Sequence, residues 1–210
     1  MGLVRKLNHI GMQVTTESIK EQIPYYLTQK AKDNLAKALD SFPRQIDYYI
    51  DQFENQILQG DGWTSITVFS FETGERRMVK AMLLSNSCDV APDNKRIFPT
   101  KLTFAPIIKL NRYRELLNKA GLDEKQVLEK VAAIKEQKVT ALFYLPKGAG
   151  LDEEYIALLD DLHTVPYQAF SIQSEKQKVF TLGQVGFYLF LLKLSVHFCR
   201  FHEEIHRSPA

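Results

Sequence analysis

The sequence predicts an α+β protein in which antiparallel strands occupy the middle of the chain and helices stand at both ends. Three observations lead to this prediction. Apolar residues recur at helical spacing before residue 60 and again between residues 111 and 137. From residue 63 onward, β-branched and aromatic residues come in near alternation, which is typical of strands. The most apolar segment, within residues 184–207, has the pattern of a buried helix.

The first 58 residues are predicted to form a helical N-terminal extension, ahead of a second unit that spans residues 59–210. Residues 16–18 (TES) contain helix-start signals, and Pro43 divides the extension into two helices. The second helix should carry one apolar stripe, made of Ile46, Tyr49, Ile50, Phe53 and Ile57. We expect this stripe to pack on the strands that follow. A partner-binding role for its tyrosine-rich face is the alternative.

Three strands are predicted after the GDG of residues 60–62. WTSITVFSF (residues 63–71) and the segment 78–85 are the first two, and a polar turn joins them. Residues 101–110 are the third. Pro106 should place this third strand at an edge or a bulge, because proline cannot donate a ladder hydrogen bond.

The second half of the chain mixes both kinds of element. Residues 111–137 are predicted to form two short helices, inserted between strands. Residues 139–146 and 178–182 have strand-like composition, whereas EYIALLDDLHTV (residues 154–165) fits a helix or a strand on its pattern alone. A long C-terminal helix is predicted from about residue 182 to about residue 207.

Composition and charge narrow the functional classes. The chain of 210 residues has 27 Lys and Arg against 25 Asp and Glu, so any nucleic-acid site needs a local basic patch. Two distant cysteines fit a reducing cytoplasm, and no cofactor is predicted. The apolar run of residues 186–198 is too short for a membrane span and carries Lys193 at its middle. We therefore expect a cytoplasmic protein without a membrane partner.

Three stretches together resemble the MazF/PemK family of toxins, of which this chain would be a divergent member. They are GDGWTSITVFSF, RRMVKAMLLSN (residues 76–86) and LPKGAGLDEEYIALLDDLHTV (residues 145–165). The resemblance implies a small antiparallel β-barrel of the Src-homology-3-like type, in which residues 154–165 form a strand and a turn. The N-terminal helices, the insertion and the C-terminal helix are additions to the family's short plan.

The resemblance also implies a reaction. The family cuts single-stranded RNA without a metal ion, by attack of the 2′-hydroxyl group on the adjacent phosphate. This attack needs a base, an acid and a cation beside the phosphate. The residues that come nearest to the family's catalytic positions are Arg77, Lys80, Thr103 and His163.

Each of these residues is displaced from the family's pattern. The family's arginine falls on Val79, and Arg77 is preferred because alternate residues of a strand share a face. Lys80 or Arg76 could replace it after a register slip of one residue. Thr103 lies three positions before the expected threonine, and His163 stands in place of a second arginine, where it could act as an acid or a base.

Partners follow from the same resemblance. Lys101, Lys109 and Arg112 are predicted to form the basic patch that binds single-stranded RNA, although a solvated strand edge explains them equally well. An antitoxin or regulatory protein would place a segment in the RNA groove, and the barrel would form a homodimer. The alternative function is a degenerate barrel that binds protein or nucleic acid without cutting, with the added helices as partner surface.

Two short motifs suggest other chemistry. In NSCD (residues 86–89), Cys88 would be a nucleophile if His163 or His197 approached it; otherwise it is a small residue that ends a strand. HEEIH (residues 202–206) places two histidines four apart on a helix, where they could bind zinc. Histidines near a helix C-terminus also favour its dipole, so the motif leaves both interpretations open.

Overall fold

The computed structural model of the chain describes residues 47–70, 73–91 and 97–199. The strands are β1 (Tyr49–Ile50), β2 (Gly62–Phe69), β3 (Arg76–Leu83), β4 (Lys101–Lys109), β5 (Leu142–Leu145), β6 (Tyr155–Leu158), β7 (His163–Pro166) and β8 (Lys178–Leu182). The helices are α1 (Ser87–Val90), α2 (Leu110–Lys119), α3 (Glu124–Lys135), α4 (Tyr167–Ser171) and α5 (Gln184–Cys199). The strands form one antiparallel sheet, so the predicted α+β class is confirmed. Within these residues, no helix combines the length and the apolar character that a membrane crossing requires.

The sheet is curled but open. Its strand order is β1-β8-β2-β3-β4-β6-β5, and β7 pairs with β4 outside this path. In the described part of the chain, the hydrogen-bonded path does not close into a ring. Cα atoms of β7 nevertheless come within 8 Å of those of β2. The two strands therefore face each other across a seam, and the candidate site lies at this seam.

The central strand β4 changes partner along its length. One side pairs with β3, while on the other side residues 101–104 pair with β7 and residues 107–109 pair with β6. The change falls beside Pro106, which has no N–H group for a ladder hydrogen bond. Pro106 was predicted to mark an edge or a bulge. It lies instead in a central strand, at the point where one neighbour replaces another.

The inner face of the curled strands packs around aromatic side chains. Phe170 of α4 is fully buried, with its ring centroid 5.2 Å from that of Trp63 and 5.7 Å from that of Phe104. Ile66 and Val68 of β2 join the same core. Because side chains alternate along a strand, the residue between them lies on the outer face. This alternation determines which face of the sheet each side chain of β2 occupies.

The predicted helical insertion at residues 111–137 is confirmed by α2 and α3. Helix α3 begins with a capping box. The Asp123 side chain accepts from the Gln126 N–H (2.8 Å), and the Gln126 side chain accepts from the Asp123 N–H (3.1 Å). Leu117, Val131 and Ile134 bury the inner faces of the two helices against β5 and β6. Local signals therefore place this insertion.

Helix α5 confirms the predicted C-terminal helix over its described length and holds a buried lysine. Lys193 is 5% exposed, and its ammonium group donates to the carbonyl oxygens of Gln137 and Val139 (2.8 Å to the latter). These carbonyls lie just beyond the C-terminus of α3. Burial lowers the pKa of Lys193 to about 8. The side chain thus connects α5 to the end of the insertion.

The second predicted N-terminal helix is wrong in its described part. Tyr49 and Ile50 form β1 and pair with β8, and residues 51–58 are not helical. The Tyr49 hydroxyl donates to the Pro146 carbonyl (2.8 Å), while Tyr48 is buried in the core. Neighbouring residues of an extended chain point to opposite sides, so both tyrosines find packing partners that a helix here would not provide.

Some predictions lie outside the described residues. These are the helices predicted within residues 1–46, the last part of the C-terminal helix from residue 200 onward, and the HEEIH motif of residues 202–206.

The GDG motif anchors the segment before β2. Asp61 is fully buried; its Oδ2 accepts from the Leu58 N–H (2.8 Å) and lies 2.8 Å from the Lys178 Nζ. Lys178 also donates to the carbonyls of Phe53 (2.8 Å) and Gln56 (2.7 Å). Burial raises the pKa of Asp61, and the Lys178 ammonium acts in the opposite direction. This buried ion pair therefore fixes residues 53–61 on β8.

Candidate nucleic-acid interface

The seam between β2 and β7 forms an open groove of about 590 Å³. One wall is the β2–β3 hairpin, and the other is β7 with the beginning of α4. The polar and aromatic lining residues are Thr67, Phe69, Arg76, His163 and Thr164. Residues that carry an aromatic ring, a guanidinium and an imidazole therefore line the same groove.

His163 is the one residue of the four predicted catalytic residues that lines this groove. It is the first residue of β7 and pairs with Phe104, which places its side chain on the inner face of the sheet. The side chain is 14% exposed, and its Nε2 lies 3.0 Å from Oδ1 of Asp161 without the alignment of a hydrogen bond. Asp161 stands in the turn before β7. The carboxylate is therefore close enough to orient the imidazole.

Arg76, rather than Arg77, lines the groove. In the β2–β3 ladder, Arg76 pairs with Phe69 and Arg77 pairs with Val68. Directly opposite residues share a face, so Arg77 lies on the side of the buried Val68, and Arg76 and Phe69 lie together on the other side. Both arginines are exposed. The preferred residue of the sequence analysis thus lies one position away from the residue that enters the groove.

Lys80 lies at a different place, at the beginning of β6. Its Nζ is 3.3 Å from the Tyr155 hydroxyl and 5.1 Å from the centroid of that ring. The hydroxyl donates to Oδ1 of Asp152 (2.7 Å), and burial, with that carboxylate, raises the pKa of Tyr155 to about 12. Lys80 therefore belongs to a tyrosine–carboxylate cluster and is not brought together with His163.

Thr103 has a structural position between strands. Its N–H donates to the Ser85 Oγ (2.8 Å), and its carbonyl accepts from the Leu84 N–H (2.8 Å). It pairs with Thr164, whereas His163 pairs with the next residue of β4, so Thr103 and His163 point to opposite faces. The structure therefore does not bring Thr103 to the imidazole.

The three predicted RNA-binding residues do not form one patch. Lys101 and Lys109 are the two ends of β4, which places them about 26 Å apart. Lys109 contacts the carboxylates of Asp152 (3.0 Å) and Glu153, so nearby acids neutralise its charge. Arg112 is exposed on α2, beyond the Lys109 end of the strand. Of the three, Lys101 alone lies beside the groove, because it pairs with Pro166 at the end of β7.

The NSCD motif forms the corner after β3. The Asn86 side-chain oxygen accepts from the Cys88 N–H (2.9 Å) and caps α1, and the Ser87 hydroxyl accepts from the Gln59 N–H (2.8 Å). Cys88 is exposed and forms no disulfide bond with Cys199. The motif thus stabilises a corner of the fold. Asn86, the first residue of the motif, lines one cavity, and His163 lines a different one.

One residue of the groove, Phe69, and one residue beside it, Asp161, were not predicted from the sequence. Phe69 was assigned to a strand without a functional role, and Asp161 was given no role of its own. Asp161-Leu162-His163 is the signal that points to an acid beside the imidazole, since one intervening residue returns a side chain to the same face.

A scan against protein-family models and a search of curated proteins both find no match to this chain.

Proposed function

We propose that this protein is a MazF/PemK-like toxin-type barrel that binds single-stranded RNA in the groove between β2 and β7. The observation that carries the proposal is that Arg76, Phe69 and His163 all line one groove. The curl that brings β7 beside β2 supports the barrel part of the proposal. A cytoplasmic location goes with it, since a chain with only two cysteines, far apart in sequence, fits a reducing compartment.

Single-stranded RNA suits the groove for physical reasons. Phe69 is 41% exposed, and an exposed aromatic ring is a platform on which an unpaired base can stack. Arg76 provides positive charge for a phosphate in the groove. The net charge of +2 means that this attraction is local rather than spread over the whole molecule. A duplex hides its base faces, so it cannot use the aromatic platform.

A binding measurement tests this proposal. Fluorescence anisotropy with a labelled oligouridylate should show that Arg76→Gln weakens binding about tenfold. It should also lower the slope of log affinity against log salt concentration by about one, which corresponds to one lost phosphate contact. Arg112→Gln is the matched control, because Arg112 is an exposed arginine on the distant α2. Equal effects of the two substitutions, or no binding by the wild type, would contradict the assignment of the groove.

Cleavage of the bound RNA is the second candidate function, favoured by the 3.0 Å approach of Asp161 to His163. Neutral His163 would take the proton of a 2′-hydroxyl group while the 2′-oxygen attacks the adjacent phosphorus. The bond from phosphorus to the 5′-oxygen then breaks, and the imidazolium returns the proton to that oxygen. Arg76 would stabilise the charge on the nonbridging oxygens. The products are a 2′,3′-cyclic phosphate and a 5′-hydroxyl end, and the reaction needs no metal.

Mapping of 5′ ends after expression in cells distinguishes cutting from binding alone. His163→Gln should abolish new 5′-hydroxyl ends and any growth arrest, whereas His197→Gln on α5 should behave as the wild type. With purified protein, cleavage should continue in the presence of EDTA. An absence of cleavage by the wild type would leave the binding module as the function, and cleavage that EDTA stops would refute this mechanism.

Protein partners belong to the same proposal. An antitoxin or regulatory protein would occupy the groove in place of RNA, and the barrel would form a homodimer. A partner in the groove should compete with the oligouridylate, and light scattering should give the mass of two chains. A monomer at micromolar concentration would remove the dimer from the proposal and leave the groove unaffected.

A further inference from the structure

A second cavity, of about 680 Å³, opens at the other side of the β4–β7 ladder. Its lining includes Asn86 and Asp89 of the NSCD corner, the exposed Phe98, and Lys101 at the beginning of β4. Phe98 is 81% exposed and the adjacent Ile97 is 95% exposed, so two large apolar side chains lie together on the surface of this cavity. An aromatic ring and a cation therefore stand together here, as they do in the first groove.

The two cavities meet at one end of the ladder. Lys101, which lines the second cavity, pairs with Pro166, which lines the first. The Tyr167 N–H also donates to the Thr100 carbonyl (2.9 Å), so the ridge between the cavities is hydrogen-bonded. Lys101 lies three residues before Phe104, the residue of β4 that pairs with His163, which corresponds to a distance of about 10 Å. One extended ligand can therefore lie in both cavities.

We propose that the second cavity binds the base of a flanking nucleotide of the same single-stranded RNA. The inference rests on the proposed function, since it extends the path of an RNA bound between β2 and β7. Phe98 stacks on the base, and Lys101 contacts the phosphate that joins this nucleotide to those in the groove. Asn86 and Asp89 line the cavity where polar groups of a base edge would lie. The NSCD corner thereby acquires a role in recognition.

The charges along the path agree with this direction rather than with a path toward the other end of β4. Lys109, at that end, contacts the carboxylates of Asp152 and Glu153, which repel phosphate. Among the described residues, no carboxylate oxygen forms an ion pair with Lys101 within 4.0 Å of its Nζ. Lys101 is therefore the lysine of β4 that keeps its charge for a phosphate, although Asp89 lines the same cavity.

The test is anisotropy titration of a labelled oligouridylate of about eight nucleotides. Phe98→Ala should weaken binding about tenfold, because one stacked base is lost. Lys101→Gln should weaken it by a similar factor and reduce the salt dependence by about one phosphate contact. Ile172→Ala is the control for removal of an exposed apolar side chain, since Ile172 is 83% exposed and lines neither cavity. Phe98 is on the surface, so the variant should retain the fold.

A second readout detects the base directly. In Phe98→Trp, the emission of the new exposed indole should be quenched when the oligouridylate binds. If Arg76→Gln weakens binding while Phe98→Ala and Lys101→Gln match Ile172→Ala, the flanking site is refuted and the groove stands. If Arg76→Gln has no effect either, the proposed function itself fails. A loss of affinity in Phe98→Ala without quenching of the indole would mean that the ring acts on the corner rather than on a base.

Discussion

The buried ammonium of Lys193 should make the stability of the protein depend on pH in a way that one substitution removes. Lys193 is 5% exposed and donates to two carbonyls at the end of the insertion. Its pKa in the folded protein is about 8, below the ordinary value of 10.5, because burial disfavours the charged form. Lys193→Met keeps an unbranched side chain of similar length and eliminates the titration.

The size of the effect follows from the two pKa values. Between them the unfolded chain binds more protons than the folded chain, so the free energy of unfolding rises with pH. For one such lysine the rise from about pH 7 to about pH 9.5 is about 2 kcal/mol. In a chain of this length, that free energy corresponds to roughly 4–8 °C in the melting temperature.

Urea unfolding at a series of pH values provides the assay, with the difference between wild type and Lys193→Met as the readout. Taking the difference removes the contribution of tyrosines to the pH dependence, because they titrate in both proteins. Tyr48 is one of them, and burial raises its pKa to about 12. The wild type should gain stability relative to Lys193→Met as the pH rises. Parallel curves for the two proteins would refute the reasoning, since they would mean that the ammonium is as well solvated in the folded chain as in the unfolded chain.

Further substitutions test three other interactions of the fold, each by urea unfolding. Lys178→Met leaves the buried Asp61 carboxylate without its cation and should cost about 3–5 kcal/mol, less when Asp61→Asn is added; additive costs would contradict the pairing. Phe170→Ala empties the aromatic centre of the core and should cost about 3–5 kcal/mol, so a loss below about 1 kcal/mol would mean that α4 does not pack there. Asp123→Ala removes the cap of α3 and should cost about 1 kcal/mol, whereas no change would show that the capping box is not needed.

Much of the fold could be predicted from local patterns. The alternation in residues 63–71 predicted β2, and the helical spacing after residue 111 predicted α2 and α3, because both periods follow from backbone geometry alone. The capping box at Asp123 belongs to the same class, since its partners are three residues apart. Such signals require no knowledge of the rest of the chain.

The stripe that includes Tyr49 shows where local patterns fail. Its apolar residues fit a helix, but the described part forms β1, paired with residues more than 130 positions further along the chain. Pairing of that kind depends on a distant strand, and no window around Tyr49 contains it. The hydrogen bond from its hydroxyl to Pro146 has the same long-range origin.

The candidate site shows the same contrast between local and long-range determinants. The sequence by itself determined which residues alternate on each strand, and it placed His163 among the groups able to move a proton at neutral pH. Only the tertiary structure decided that Arg76 enters the groove instead of Arg77, because strand register changes the face of every side chain with a shift of one residue. It also decided that carboxylates neutralise Lys109 while Lys101 lies beside the groove. Charges act through space, and the distances between them depend on how strands from far parts of the chain pair.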